Sequence, residues 1–98
     1  MTLSVVLRPE AQSDLLSARD WYEEQRIGLG DDFIGAAEEV FRRIAETPEL
    51  YAAALKGVRR TKLHRFPYVV YYRTLAGLIE VIGVLHGSRD PQIWQDRA

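Results

Sequence analysis

Seven side chains in the second half of this 98-residue chain are of types that metal-free phosphodiester cleavage would use. Arg60, Lys62, Arg65, Arg73 and Arg89 are cations for the charge of a pentacovalent phosphorane. His86 and Tyr72 are candidates for the base that takes a 2′-hydroxyl proton and the acid that protonates the leaving oxygen. Other chemistries are closed. There is no cysteine, which removes thiolate nucleophiles, disulfides and cysteine metal sites together. His64 and His86 are far apart and have no carboxylate at ligand spacing, so no metal site is expected. Gly28 and Gly30 do not form a phosphate loop: no Lys-Ser/Thr pair follows them, and the preceding element reads as a helix. No cofactor is expected.

Each candidate also has a structural reading. His86 ends an apolar run, where a histidine often only hydrogen-bonds a carbonyl. His64 reads as a solvated strand residue. Phe66, Tyr68, Tyr71 and Tyr72 interleave with basic residues, as a base-stacking sheet would, but aromatics are also what strands prefer, and core packing is the favoured reading. Trp94 fits equally a staple onto the sheet or an exposed anchor for a partner. Asp20, Glu23 and Glu24 read as a solvated helix face.

The elements that must position these residues follow from periodicity. Thr2 to Leu7 is a short β-type run stopped by Arg8-Pro9. Pro9 suits the first turn of a helix. Ala11, Leu15, Ala18 and Tyr22 recur at helical spacing to about Arg26, and Ile27-Gly28-Leu29-Gly30 ends that helix. Asp31 or Asp32 is a ready N-cap for a second helix. Phe33, Ala37, Val40, Phe41 and Ile44 form its apolar stripe, and Pro48 closes it. The period then changes to 2. Val58 to Leu63, Tyr68 to Leu75 and Leu78 to His86 read as strands, the last two joined by the Ala76-Gly77 turn as an antiparallel hairpin. The last strand is apolar at nearly every position, so it should be central. Alternation places Arg60 and Lys62 on one face of the sheet and Arg59 on the other. Asp90-Pro91 starts a short terminal helix with Ile93 and Trp94.

The expected fold is α+β, one domain over residues 1–98. Its order is β-α-α-β-β-β with a short α tail, a helical hairpin on one face of a small, mainly antiparallel sheet. Two helices cover one face only; the tail, exposed aromatics or another chain must cover the other. Charge is segregated behind a formal net charge of −1. Residues 9–49 hold eleven acidic and four basic side chains, and residues 56–73 hold six basic and none acidic. Such a field favours an anionic partner at the basic end. Hydrophobic content of 47% argues against disorder. No apolar run, Val69 to Tyr72 included, is long enough to cross a bilayer. The residues after Met1 lack a basic n-region, so a cytoplasmic protein is expected.

Several segments together resemble the ParE branch of the RelE/ParE toxins. They are Gly28-Leu29-Gly30-Asp31-Asp32-Phe33, Thr47-Pro48-Glu49-Leu50-Tyr51 and Val58-Arg59-Arg60. Arg65-Phe66-Pro67-Tyr68-Val69-Val70-Tyr71-Tyr72-Arg73 and Val84-Leu85-His86-Gly87-Ser88-Arg89-Asp90-Pro91 with Trp94 complete the set. The resemblance implies the toxin of a type II toxin–antitoxin system, a plasmid-stabilisation device that inhibits growth. Its neutralising partner would be a ribbon-helix-helix antitoxin whose C-terminal part wraps the helix hairpin and sheet, with operator DNA reached only through the antitoxin. ParE-like members inhibit DNA gyrase, whereas RelE-like members cut messenger RNA on the ribosome. The RelE pattern carries a tyrosine, or a histidine–tyrosine pair, at the C-terminal end of the sheet. Here His86 has no such partner, since no tyrosine lies beyond Tyr72. A binding toxin, not an enzyme, is the favoured expectation, and a degenerate toxin that only binds antitoxin is a third reading. The resemblance suggests Arg60, Arg65, His86, Arg89 and Trp94 as the target-facing set. Arg60, Arg65, His86 and Arg89 would be the catalytic set of a nuclease. Leu15, Trp21, Phe33 and Phe41 are the antitoxin contacts wherever they reach the surface.

Overall fold

A computed structural model describes residues 2–51, 53 and 55–98. The element order is β1 Ser4–Leu7, α1 Pro9–Gln25, α2 Leu29–Glu46, β2 Arg59–Lys62, β3 Tyr68–Leu75, β4 Leu78–His86 and α3 Gln92–Arg97. The four strands form one sheet in the order β1-β4-β3-β2, with β1 parallel to β4 and the other pairs antiparallel. The α+β class and the helical hairpin on one sheet face are as expected. β3 and β4 have the expected bounds, and Ala76 and Gly77 both take positive φ, as a tight two-residue hairpin requires.

Central β4 is buried continuously from Val81 to Leu85. A bulge breaks its register: Tyr72 pairs with Val81 and Tyr71 with Gly83, which leaves Ile82 without a partner. The extra residue shifts the facing of everything after it. Val81 and Val84 therefore both face the helices, while Ile82 and Leu85 face the other side.

On the helix side, Ala11 and Ala18 of α1 and Phe33, Ala37, Val40 and Ile44 of α2 pack on Val70, Tyr72, Ile79, Val81 and Val84. Tyr22, Phe33, Phe66 and Tyr68 form an aromatic knot with ring centroids 4.9 to 6.0 Å apart. Edge-to-face pairs of this kind add about 0.5–1.5 kcal/mol beyond the area they bury.

The hairpin connection differs from the expectation. α2 starts at Leu29, ahead of Asp31 and Asp32, and its N-cap is Gly28 at φ +89°, with no side-chain cap of its own. The exposed N–H groups are met from α1 instead. The Glu23 carboxylate accepts from Gly28 N at 3.0 Å and from Gly30 N at 2.9 Å. Glu23 lies on the exposed helix face, as expected, and from there also caps α2. A Cβ on Gly30 would lie 2.8 Å from the Arg19 carbonyl, so glycine is what lets the two helices close at this point.

The second sheet face is sealed in part by the chain's own tail. Val58, Tyr71, Ile82, Leu85 and Trp94 form a separate buried cluster, edged by Val69, Ile93 and Ala98. Trp94 stacks on Tyr71 at 5.2 Å and 15° and is 3% exposed. Of the three expected covers, the tail supplies this part. The part of this face left open lies toward β1 and the β3–β4 turn, where Val6 and Leu75 are exposed.

Candidate functional site

Starting α1 at Pro9 sets Ser13, Ser17 and Trp21 on successive turns of one flank, beside the stripe that buries Ala11 and Ala18. This flank faces the end of the β3–β4 hairpin. A cleft of about 330 Å³ opens between them, lined by Ser13, Asp14, Ser17, Trp21, Tyr68 and His86, with Arg89 at its rim. A second hollow of about 380 Å³, lined by Trp21, Tyr22, Pro67, Tyr68 and His86, continues from it. Trp21, Tyr68 and His86 belong to both, so the two hollows form one trough.

Asp14, which lines the cleft, belongs to an ion pair that repairs a strand edge. β1 ends at Leu7, and the last backbone bond on that side is Arg8 N to the Val81 carbonyl at 3.0 Å. Beyond it, Asp14 Oδ2 accepts from Val84 N at 3.1 Å, and Arg97 Nη1 donates to the Ile82 carbonyl at 3.3 Å. Asp14 and Arg97 join through Nη1–Oδ2 at 2.6 Å and Nη2–Oδ1 at 3.2 Å. One acceptor and one donor thus occupy the place of a missing peptide unit, which keeps the edge satisfied. The Asp14 hydrogen bond pushes the Arg97 guanidinium pKa further up, so the charge persists. Gly83 leaves the passage: a Cβ there would stand 3.0 Å from Arg97 Nη1. Arg8 also donates to the Arg97 carbonyl, and Lys56 Nζ to that of Gln95 at 3.3 Å, so α3 is tied from three elements.

The charge of Asp14 is thereby spent on Arg97, and the remaining charge in the trough is positive. Arg89 is exposed and makes no ion pair among the described residues. Its charge opposes the burial that pushes the Tyr68 phenol pKa up. Burial, with a smaller contribution from Tyr68, pushes Tyr22 up as well. His86 packs edge-on against Tyr68 at 5.4 Å. Its Nδ1 accepts from Ser88 N at 3.0 Å, with Ser88 Oγ at 2.7 Å. A backbone N–H can only donate, so the ring proton of the neutral imidazole sits on Nε2.

The expected target-facing residues do not share one surface. His86 pairs with Tyr68 on the helix side, at the trough. Arg60 pairs with Tyr71, so it projects on the opposite face, with Lys62 beside Val69. Arg59 turns to the helix side and donates to the Tyr51 carbonyl at 2.7 Å. That split between Arg59 and its neighbours follows the alternation of the strand. Arg65 sits in the β2–β3 loop at φ +71°, its guanidinium 5.7 Å from the Phe66 ring centroid, near a third hollow that includes Lys62 and His64. Trp94 is a buried staple and not an exposed anchor. Tyr72 is fully buried and its hydroxyl donates to the Pro48 carbonyl at 2.7 Å, so it is no proton carrier for a substrate. Burial pushes its pKa up. Among the expected antitoxin contacts, Trp21 is 55% exposed, and Leu15 and Phe41 are half-buried. Phe33 is 0% exposed and belongs to the core. Ser13, Ser17, Tyr68 and the Asp14–Arg97 pair were not anticipated as a site. A serine–serine–tryptophan row at i, i+4, i+8 is the sequence signal that could have found the helical wall.

Among the described residues no helix is long and apolar enough to cross a membrane, and no three of His, Asp and Glu gather as a metal ion would need. A helical hairpin packed on a four-stranded mixed sheet, with a short C-terminal helix behind, is the chain path of a solved structural relative. That relative is a chain of the "Chromosomal ParDE TA system from P. aeruginosa", superposing with a TM-score of 0.63 at 16% identity over 87% of this chain and 96% of that one. The family described as "ParE toxin of type II toxin-antitoxin system, parDE" matches residues 5–91, and the chain belongs to it. Two curated relatives, both "Toxin ParE2" of Mycobacterium tuberculosis (strains CDC 1551 / Oshkosh and ATCC 25618 / H37Rv), are 28% identical over 92 residues. The match covers 93% of this chain and 88% of each relative.

Proposed function

We propose that this single-domain toxin acts in the cytoplasm by binding DNA gyrase, and that a cognate ribbon-helix-helix antitoxin holds it inactive. The observation that supports binding over catalysis is the split of the nuclease set, of which only His86 and Arg89 share the trough. Proton transfer and phosphorane stabilisation require a donor, an acceptor and cations within hydrogen-bond reach of one phosphate. Here His86 lies on the helix side, Arg60 projects from the opposite face, and the Tyr72 hydroxyl is committed to a buried carbonyl. Gyrase itself comes from family membership; no residue of the trough specifies it. Operator DNA is contacted only through the antitoxin.

Pulsed induction of the chain tests this reading. The expected outcome is filamentation and a DNA-damage response, with messages intact and translation continuing. Rapid loss of messages cut within codons would establish the ribonuclease reading instead. Co-expression of the proposed cognate antitoxin should restore growth.

A further inference from the structure

β2 is the last strand of the sheet, and with β3 it forms a two-stranded antiparallel ribbon at that edge. Pairing runs from Arg59–Tyr72 to Lys62–Val69, Leu63 N donates to the Tyr68 carbonyl at 2.9 Å, and residues 63–67 close the ribbon. Arg60 and Lys62 are exposed on the face away from the helices, two residues and about 7 Å apart. His64 and Arg65 are exposed in the closing loop. Among the described residues, Arg60, Lys62 and Arg65 make no ion pair.

Arg65 carries a further signal. It stands at φ +71°, a conformation that costs an L side chain and is free to glycine. A loop shaped for stability alone would hold glycine there, and a strained residue in its place points to use of the side chain. Its guanidinium lies 5.7 Å from the Phe66 ring centroid, beside a hollow of about 350 Å³ that Lys62 and His64 also line.

The three charges form a row and not a pocket, so they fit a polyanion and not a single anion. The rings beside them are buried, Phe66 at 5% and Tyr71 at 7% exposure. Unpaired bases would find nothing to stack on, which favours a duplex over a single strand. A two-stranded ribbon enters the major groove of B-form DNA, whereas that of duplex RNA is too narrow. The acidic residues of the helices repel the same polyanion, so the field turns the ribbon toward it.

We propose that the β2–β3 ribbon docks on duplex DNA, with Arg60, Lys62 and Arg65 on the phosphates that border a major groove. Phosphate contacts carry no sequence preference, so the choice of operator stays with the antitoxin. The row stands on its own residues and does not depend on gyrase being the target.

The test is fluorescence anisotropy of the full chain with a labelled DNA duplex of arbitrary sequence, from about 50 to about 200 mM salt. Three phosphate contacts predict that log K falls against log salt with a slope of about −2.7, a loss of about fortyfold over that range. Arg60→Gln and Lys62→Gln should each flatten the slope by about 0.9. Arg65→Gly should do the same while thermal unfolding finds the chain as stable as wild type or more so, a combination that a structural role would not give. Arg42→Gln removes an equal charge from an exposed position on α2 and should bind as wild type. Circular dichroism checks that each variant is folded. No binding by wild type at the lowest salt, or an unchanged slope in the three folded variants, overturns the proposal. Duplex RNA or polyglutamate bound as tightly as the DNA overturns it by naming another occupant. Gyrase supercoiling assays on the same preparations keep the two readings apart. Inhibition by a chain that does not bind DNA overturns this proposal alone, and DNA binding with the predicted slope but no inhibition supports it while removing gyrase.

Discussion

Replacing Asp14 by alanine removes the central group of the Asp14–Arg97–β4 junction, and its cost can be worked from the geometry. The Arg97 side chain is 18% exposed and loses the one carboxylate it pairs with among the described residues, while the Val84 N–H loses its acceptor. Removing one partner of a fully buried ion pair costs about 3–5 kcal/mol. Partial water access lowers that to about 2 kcal/mol, and an orphaned buried N–H adds about 1 kcal/mol. A total of about 3 kcal/mol lowers the midpoint of a chain of this size by about 12 to 24 °C. The assay is urea and thermal unfolding followed by circular dichroism and by Trp94 fluorescence, because losing this tie should loosen α3 first. Asp14→Asn keeps an acceptor for Val84 and should cost less than half as much. The double variant Asp14→Ala with Arg97→Met removes the stranded charge and should recover about 1 kcal/mol over the single variant. A loss below about 0.5 kcal/mol for Asp14→Ala, with Trp94 undisturbed, would refute the view that the pair substitutes for a peptide unit.

Other outcomes follow from the same contacts. Trp94→Ala should cost about 3–5 kcal/mol and expose the second apolar cluster to a hydrophobic dye, measured by denaturation and dye fluorescence. Glu23→Ala leaves the Gly28 and Gly30 N–H groups without their acceptor and should cost about 1 kcal/mol in urea unfolding, with the protein still folded. Burial raises the folded-state pKa of Tyr22, Tyr68 and Tyr72 above the usual 10.0. The unfolded chain therefore releases these protons first, and their contribution is complete below about pH 10 and is lost as pH rises through the folded values. Stability measured in urea should fall with pH above that point, and Tyr72→Phe should reduce the slope.

The readability of the sequence varied with the range of the interaction. β3 and β4 were legible to the residue because the period of 2, the Ala76-Gly77 turn and the uninterrupted burial of a central strand are local signals. The start of α2 was not, because its cap comes from Glu23 on the preceding helix and not from Asp31 or Asp32. The bulge at Ile82 was hidden because a run apolar at nearly every position carries little alternation to break. The site was legible in parts. Trp21, His86 and Arg89 stood out singly, but their meeting depends on α1 crossing the open edge of β4. That crossing depends on a pair, Asp14 and Arg97, from opposite ends of the chain. Trp94 had two balanced readings, and the stack on Tyr71 decides between them.

This chain is proposed to arrest growth by binding its target and not by cutting RNA. The most direct measurement is DNA supercoiling by purified gyrase in the presence of the purified chain, alone and with its antitoxin. Dose-dependent inhibition, relieved by antitoxin, is the predicted result. Unimpaired supercoiling by a chain that cleaves ribosome-bound messages under matched conditions would contradict it.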